Sequence, residues 1–318
     1  MAESLLTGPL GRLKPGPSVN RPVFGKRETV LAEIYSTGVS FIDELLGGGV
    51  QSGTLTVVRG ATGVGKTQLG LSFCNAGLAQ DGRRGFVIDM GSRGDTQQHA
   101  AYAKRLFNWT LAEGRVDPER LWEADFRPLE YLNPFGYVGK RVLRDEMNDE
   151  QWRAWKLMLA ENLRHVLAHC YYHFMHGVRR MVVDGIEPFA VARQSAQIEL
   201  FEYILHQIVR KPYDWAARDL FQGRWQEVKE QVMAHPYEVE DLATMFLQTT
   251  PETELHQLIA AQTMEDDLTT NATTIILMGR LPGAERVERG AFVLKHRGAW
   301  CSDEIVRFTI TGEGLKRL

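Results

Sequence analysis

The residues Gly60–Gln68, "GATGVGKTQ", set small residues, one lysine and one threonine in the spacing GxxxxGK[ST]. Small residues let the backbone curl so that successive N–H groups point inward at the oxygens of a phosphate chain. A helix that begins at the lysine adds its positive N-terminal end. Gly60, Ala61, Thr62, Gly63, Val64 and Gly65 would form that cradle, with Gln68 in the helical turn behind it. Lys66 would neutralise the β- and γ-phosphates, and the Thr67 hydroxyl would hold Mg²⁺. The ion needs a carboxylate at the end of a second strand. Asp184, closing the apolar run Met181–Val183 in "RRMVVDGIEPF", supplies one. Elsewhere a strand-ending aspartate is more often a turn former, but behind a phosphate loop the metal role is the better reading. Near the C-terminus, "FVLKHRGAW" puts Lys295 and Arg297 on one face of a strand and His296 on the other. Two like charges side by side call for an anion.

These residues must be positioned by a scaffold, and its pattern is visible. Short apolar runs end in or near glycine: "TLTVVRG", "GFVIDMG", "RRMVVDG", "TTIILMG" and "AFVLKHRG". Such runs, with helical segments between them, indicate an α/β fold whose parallel sheet is covered on both faces. Two long stretches interrupt the pattern and read as helical insertions, at about 96–178 and 211–270. The first ends in a long helix through "DEQWRAWKLMLAENLRHVLAHCYYHFMH", and Pro212, Pro236 and Pro251 break the second. Residues 1–34 are Gly/Pro-rich and basic (Arg12, Lys14, Arg21, Lys26, Arg27), as in a flexible arm. The remainder, 35–318, reads as a single domain.

A chain of 318 residues, 44% hydrophobic and 24% charged, can bury a substantial core. A net charge of −3 gives no general pull towards nucleic acid or anionic membrane. No run approaches the ~20 apolar residues of a membrane span. Cys74, Cys170 and Cys301, an odd set without CxxC spacing, suit reduced thiols. A cytoplasmic protein is expected.

Three passages resemble one family. "YSTGVSFIDELLGGGVQSGTLTVVRGATGVGKT" is similar to the lead-in and phosphate loop of the KaiC-like branch of the RecA superfamily of P-loop ATPases. "RRMVVDGIEPF" resembles that branch's metal-binding strand, and "VLKHRGAWCSDEIVRFTITGEGL" its closing K-x-R-G block. The resemblance implies a RecA-like P-loop NTPase core that binds ATP and Mg²⁺ and assembles as a ring or filament, commonly a hexamer. It also implies that Lys295 and Arg297 reach across to a neighbouring subunit's γ-phosphate, where a cation supplied in trans stabilises the transferring phosphoryl group. The family carries a water-orienting glutamate at the end of the strand after the phosphate-loop helix. Here that position is Gly91 in "GFVIDMGSRGD". Asp89 lies one pleat back, about 6–7 Å away, Asp95 lies in the loop beyond, and Glu187 stands three residues after Asp184. None matches, so hydrolysis is expected to be weak and a nucleotide-gated scaffold is the alternative.

Residues 211–270 hold four basic residues against twelve acidic ones. That balance repels a phosphate backbone, disfavouring a third, recombinase-like reading, and suits a surface for another protein. Trp215, Phe221, Trp225, Tyr237 and Phe246 read there as core or protein-contact residues rather than base-stacking ones. Finally, His165, His169, His173 and His176 fall within a stripe of roughly 80° on one helix, expected to be its solvated face.

Overall fold

The computed structural model describes residues 32–91, 95–122, 127, 129–135, 144–188, 197–261, 270–282 and 288–318. The expected arm lies outside them except for its last three residues, of which Ile34 already pairs with Gln51 in the ribbon β1 (Ile34–Tyr35) and β2 (Val50–Gln51). Helix α1 (Ser40–Leu45) lies between these two strands in the chain.

The remaining strands are β3 (Thr54–Gly60), β4 (Phe86–Asp89), β5 (Tyr131–Leu132), β6 (Arg180–Ile186), β7 (Ala243–Thr249), β8 (Thr274–Leu281), β9 (Glu288–His296), β10 (Val306–Thr311) and β11 (Gly314–Arg317). They form one sheet in the order β11-β10-β9-β8-β3-β7-β6-β4-β5. From β8 to β5 all neighbours run parallel, whereas β9, β10 and β11 continue antiparallel. The helices are α2 (Lys66–Gln80), α3 (His99–Phe107), α4 (Asp149–Met175), α5 (Gln197–Tyr203), α6 (Tyr213–Phe221), α7 (Trp225–Ala234) and α8 (Leu255–Ala260). Alternate residues of each central strand enter different cores. Phe86, Ile88, Met181, Val183 and Phe246 face α4, α5 and α6, while Val87, Val182, Met245 and Leu247 face α1 and α2. This is the expected mostly parallel α/β sheet with apolar strands covered on both sides. Among the described residues no helix is long and apolar enough to cross a membrane, and the three cysteines are free thiols.

Helix α2 approaches the sheet closely because Gly70 has no side chain. A Cβ there would stand 2.9 Å from Leu247 and 3.0 Å from Val182. At its edge Arg180 is wholly buried. Its guanidinium binds Asp81 (2.6 Å) and the carbonyls of Ser36 (2.6 Å) and Phe73 (3.1 Å), and lies 4.9 Å from the ring centres of Tyr35 and Phe73. One cation thus joins the lead-in segment, the end of α2 and the start of β6.

Two features differ from the sequence pattern. The stretch 211–270 is rich in helix but is not helical throughout. After α6 and α7 it delivers β7, which pairs with β3 on one side and β6 on the other, in the middle of the sheet. Four of its five aromatics (Phe221, Trp225, Tyr237 and Phe246) are core residues, and Trp215 is 55% exposed.

The histidine stripe is not a solvated face either. Helix α4 starts at a capping box formed by Asn148 and Gln151, and its second half is packed from both sides. Phe86 of β4 stacks on His173 (4.5 Å) and meets His169 edge-on (5.3 Å), while Tyr171 and Phe174 pack on Tyr237. His169 and His173 are buried; His165 and His176 are half-buried. Burial pushes the buried pair towards the neutral form, His169 well below the usual range and His173 to about 4. An unfolded histidine titrates near 6.5, so between pH 6.5 and 4 the unfolded chain takes up protons that the folded one refuses. Stability therefore falls as pH is lowered through that window, by about 3 kcal/mol for His173 at 1.36 kcal/mol per pH unit. Denaturant midpoints compared at pH 7 and pH 4.5 test this, and His173→Phe should flatten the dependence. An unchanged slope in that variant would contradict the assignment.

Candidate phosphate and metal site

The site lies at the C-terminal ends of β3, β6 and β7, where a parallel sheet opens a crevice. The backbone leaves β3 at Gly60, turns through residues with φ of +82° (Gly63) and +104° (Gly65), and enters α2 at Lys66. Only glycine takes such angles without strain, and a Cβ on Gly65 would also stand 2.8 Å from Leu315. Ala61 and Val64 are buried and shape the loop from behind. Thr62, Gly63, Gly65, Lys66, Thr67 and Gln68 line a cavity of about 220 Å³. Lys66 folds back on the loop, its ammonium donating to the carbonyls of Gly60 (2.8 Å) and Ala61 (2.9 Å). Burial lowers its pKa to about 8, against the pull of Asp184. A desolvated ammonium of this kind favours an anion.

Parallel pairing places Asp184 across from the loop, where Thr67 Oγ1 donates to its Oδ2 at 2.7 Å. The other oxygen accepts the Gly185 amide at 2.6 Å. A third partner has no counterpart in the sequence reading. His99, the first residue of α3, donates from Nε2 to the same Oδ2 at 3.0 Å and from Nδ1 to Asp95 at 2.8 Å. Carboxylates only accept, so both ring nitrogens carry protons. Burial opposes the charge, but the bonds to Asp184 and Asp95 raise the ring's pKa to about 10. That contribution to stability is complete below pH 6.5 and is lost as pH rises towards 10, so it adds nothing to the acid-side slope. Asp184 and Asp95 are held below the usual carboxylate range by the same ring despite burial.

The candidate substitutes for the missing glutamate differ in placement. Asp89 is fully buried, bonded to the Tyr131 hydroxyl (2.6 Å) and the Gly91 amide (2.8 Å), and burial raises its pKa. Asp95 caps α3 through the amides of His99 (2.6 Å) and Ala100 (3.0 Å). Glu187 lines a second cavity of about 540 Å³ that adjoins the first at Thr62, Thr96, Gln97 and Thr249, with Gly91 on its wall. Asp89, Asp95 and His99 hold ligand atoms within 4.8 Å of one another, yet each is already engaged internally.

Lys295 and Arg297 are not brought to the loop of their own chain. β9 shifts register beside Lys295, whose partner is Ile275. His296 faces inward against Thr274 (2.8 Å), Lys295 is half-buried and Arg297 is exposed. The Arg297 amide bonds to Thr273, whose own amide bonds to Leu55. That level is about 17 Å along β3 from Gly60 at 3.3 Å per residue. Among the described residues, a further cation near the loop is Arg289, whose Nε donates to the Gly63 carbonyl at 3.3 Å. The sequence reading missed it, together with Thr249 at the end of β7, which lines both cavities.

A glycine-rich loop between the first strand of the parallel core and its helix, facing an aspartate at the end of a strand two places away, makes this a RecA-like P-loop NTPase fold. The crystal structure of a KaiC-like protein from the hyperthermophilic archaeon Pyrococcus horikoshii OT3 shares it. Its TM-score is 0.53 at 15% identity, covering 90% of this chain and 99% of that one. Residues 35–113 match the family model described as "ATPase: KaiC". The circadian clock oscillator protein KaiC of Prochlorococcus marinus (strain MIT 9313) is 33% identical over 93 residues, 29% of this chain but only 18% of that protein's length. The loop segment therefore resembles the KaiC ATPase family, and the fold resembles that of a KaiC-like protein.

Proposed function

We propose that the protein binds ATP with Mg²⁺ at this loop, and that its nucleotide state controls assembly with copies of itself and contacts with other proteins. The observation that carries this reading is the convergence of Lys66, Thr67 and Asp184. Thr67 and Asp184 offer the hard oxygen donors that suit Mg²⁺, the loop's amides and Lys66 suit a triphosphate, and the two fit one another. When bound, the ion would neutralise charge on the β- and γ-phosphates. In this reading Gly60, Gly63, Gly65, Lys66 and Thr67 hold the phosphates, and Thr249 stands beside them. Lys295 and Arg297, lying far from their own loop, act on a neighbour's nucleotide in a ring or filament such as a hexamer. Glu227, Glu230, Glu238 and Glu240, all exposed around α7, give the partner surface a charge that selects a basic protein face over nucleic acid. A cytoplasmic setting accords with the three free thiols.

A second reading, a nucleotide-gated scaffold with little turnover, is favoured by Gly91 on the cavity wall and by the locked Asp89 carboxylate. Sizing the protein with and without Mg·ATP while following phosphate release tests both. Assembly on Mg·ATP is expected, with slow release that Asp184→Ala abolishes. Release at background would leave the scaffold, and no change of size in any nucleotide state would remove nucleotide-controlled assembly.

A further inference from the structure

The ring of His99 holds the one aspartate oxygen that faces Thr67. It is 1% exposed and spans two carboxylates from different elements, Asp184 on β6 and Asp95 in the loop before α3. Asp95 is itself fixed by two amides of the first turn of α3. The turn is strained: Gln98, immediately before His99, holds φ of 59° without being glycine, a conformation that persists only where surrounding bonds enforce it. The result is a relay of fixed geometry from α3 through Asp95 and the imidazole to Asp184. With Gly185 binding Oδ1, the carboxylate plane has no freedom to rotate.

We propose that His99 is a positioning residue that aims Asp184 at the magnesium ion, so that the placement of α3 sets how strongly magnesium supports nucleotide binding. This rests on the Mg·ATP reading above. A carboxylate already oriented loses no rotational freedom when the ion arrives. Partners of this kind behind a metal ligand are worth about 10–100-fold in metal affinity. His99 touches neither phosphate nor ion and acts only through Asp184.

The test uses the ratio of ATP dissociation constants in EDTA and in saturating Mg²⁺, measured by calorimetry on the full-length protein. Two neutral variants separate the ring's two bonds. In His99→Gln the side-chain nitrogen reaches as far as Nε2 and can still donate to Asp184. In His99→Asn it stops at the Nδ1 position and can serve only Asp95. Both lose the ring's charge, so charge cannot explain a difference between them. His99→Gln is expected to keep the wild-type ratio and His99→Asn to lower it about tenfold, with the EDTA affinity unchanged in both. Equal ratios in the two variants, or a wild-type ratio in His99→Asn, overturn the proposal while leaving the magnesium reading intact. A ratio of one in the wild-type protein overturns both. Should His99→Asn fail to fold, Asp95→Asn loosens the ring without touching Asp184. A lowered ratio then supports the proposal and an unchanged one overturns it.

Discussion

Lys66→Ala is expected to weaken ATP binding by about thirtyfold to more than a thousandfold. Removing one member of a buried, hydrogen-bonded charge pair costs about 2–5 kcal/mol or more, and each 1.4 kcal/mol is about tenfold in affinity. The geometry places the loss at the upper end. The ammonium is largely desolvated, its pKa is already lowered to about 8, and its contacts in the empty loop are two backbone carbonyls that a triphosphate would replace. The fold should survive, because those carbonyls lie beside a cavity that water can fill. A calorimetric titration of wild type and variant with Mg·ATP measures the effect. Equal affinity would contradict the assignment of the loop.

Arg180→Ala is expected to lower global stability by about 3–5 kcal/mol, the cost of leaving a buried partner charge unmatched. Asp81 would keep its carboxylate beneath the surface, and the carbonyls of Ser36 and Phe73 would lose their donor. The void could not be filled cheaply, since the guanidinium lies against the rings of both Tyr35 and Phe73. Urea midpoints read the difference. A shift no larger than that of a surface substitution, within about 0.5 kcal/mol, would contradict this account of what ties the lead-in to the sheet.

Some of this architecture could be read from the residues and some could not. The five runs expected as strands became β3, β4, β6, β8 and β9, because each is continuous and apolar enough to need cover on both faces. The α4 helix was legible from its period. β7 was not. Its sequence "ATMFLQT" carries Thr244 and Gln248 within the strand and sits in an acidic, helix-rich stretch, so neither an apolar run nor a regular alternation marks it. Missing β7 meant missing Thr249. His99 lies 85 positions from Asp184 and 4 from Asp95. No spacing rule links such residues; only the pairing of β4 with β6 and the turn into α3 brings them together. The histidines of α4 form a polar stripe that is nonetheless dry, because the second half of the helix has protein on both sides.

The middle strand has a mechanical consequence. Seven residues of extended chain span about 23 Å and hardly stretch. The acidic helices α6 and α7 lead into one end of that span, and Thr249 stands at the other, beside Thr62 of the loop. A displacement of β7 along its own axis would therefore reach the phosphate crevice nearly undiminished.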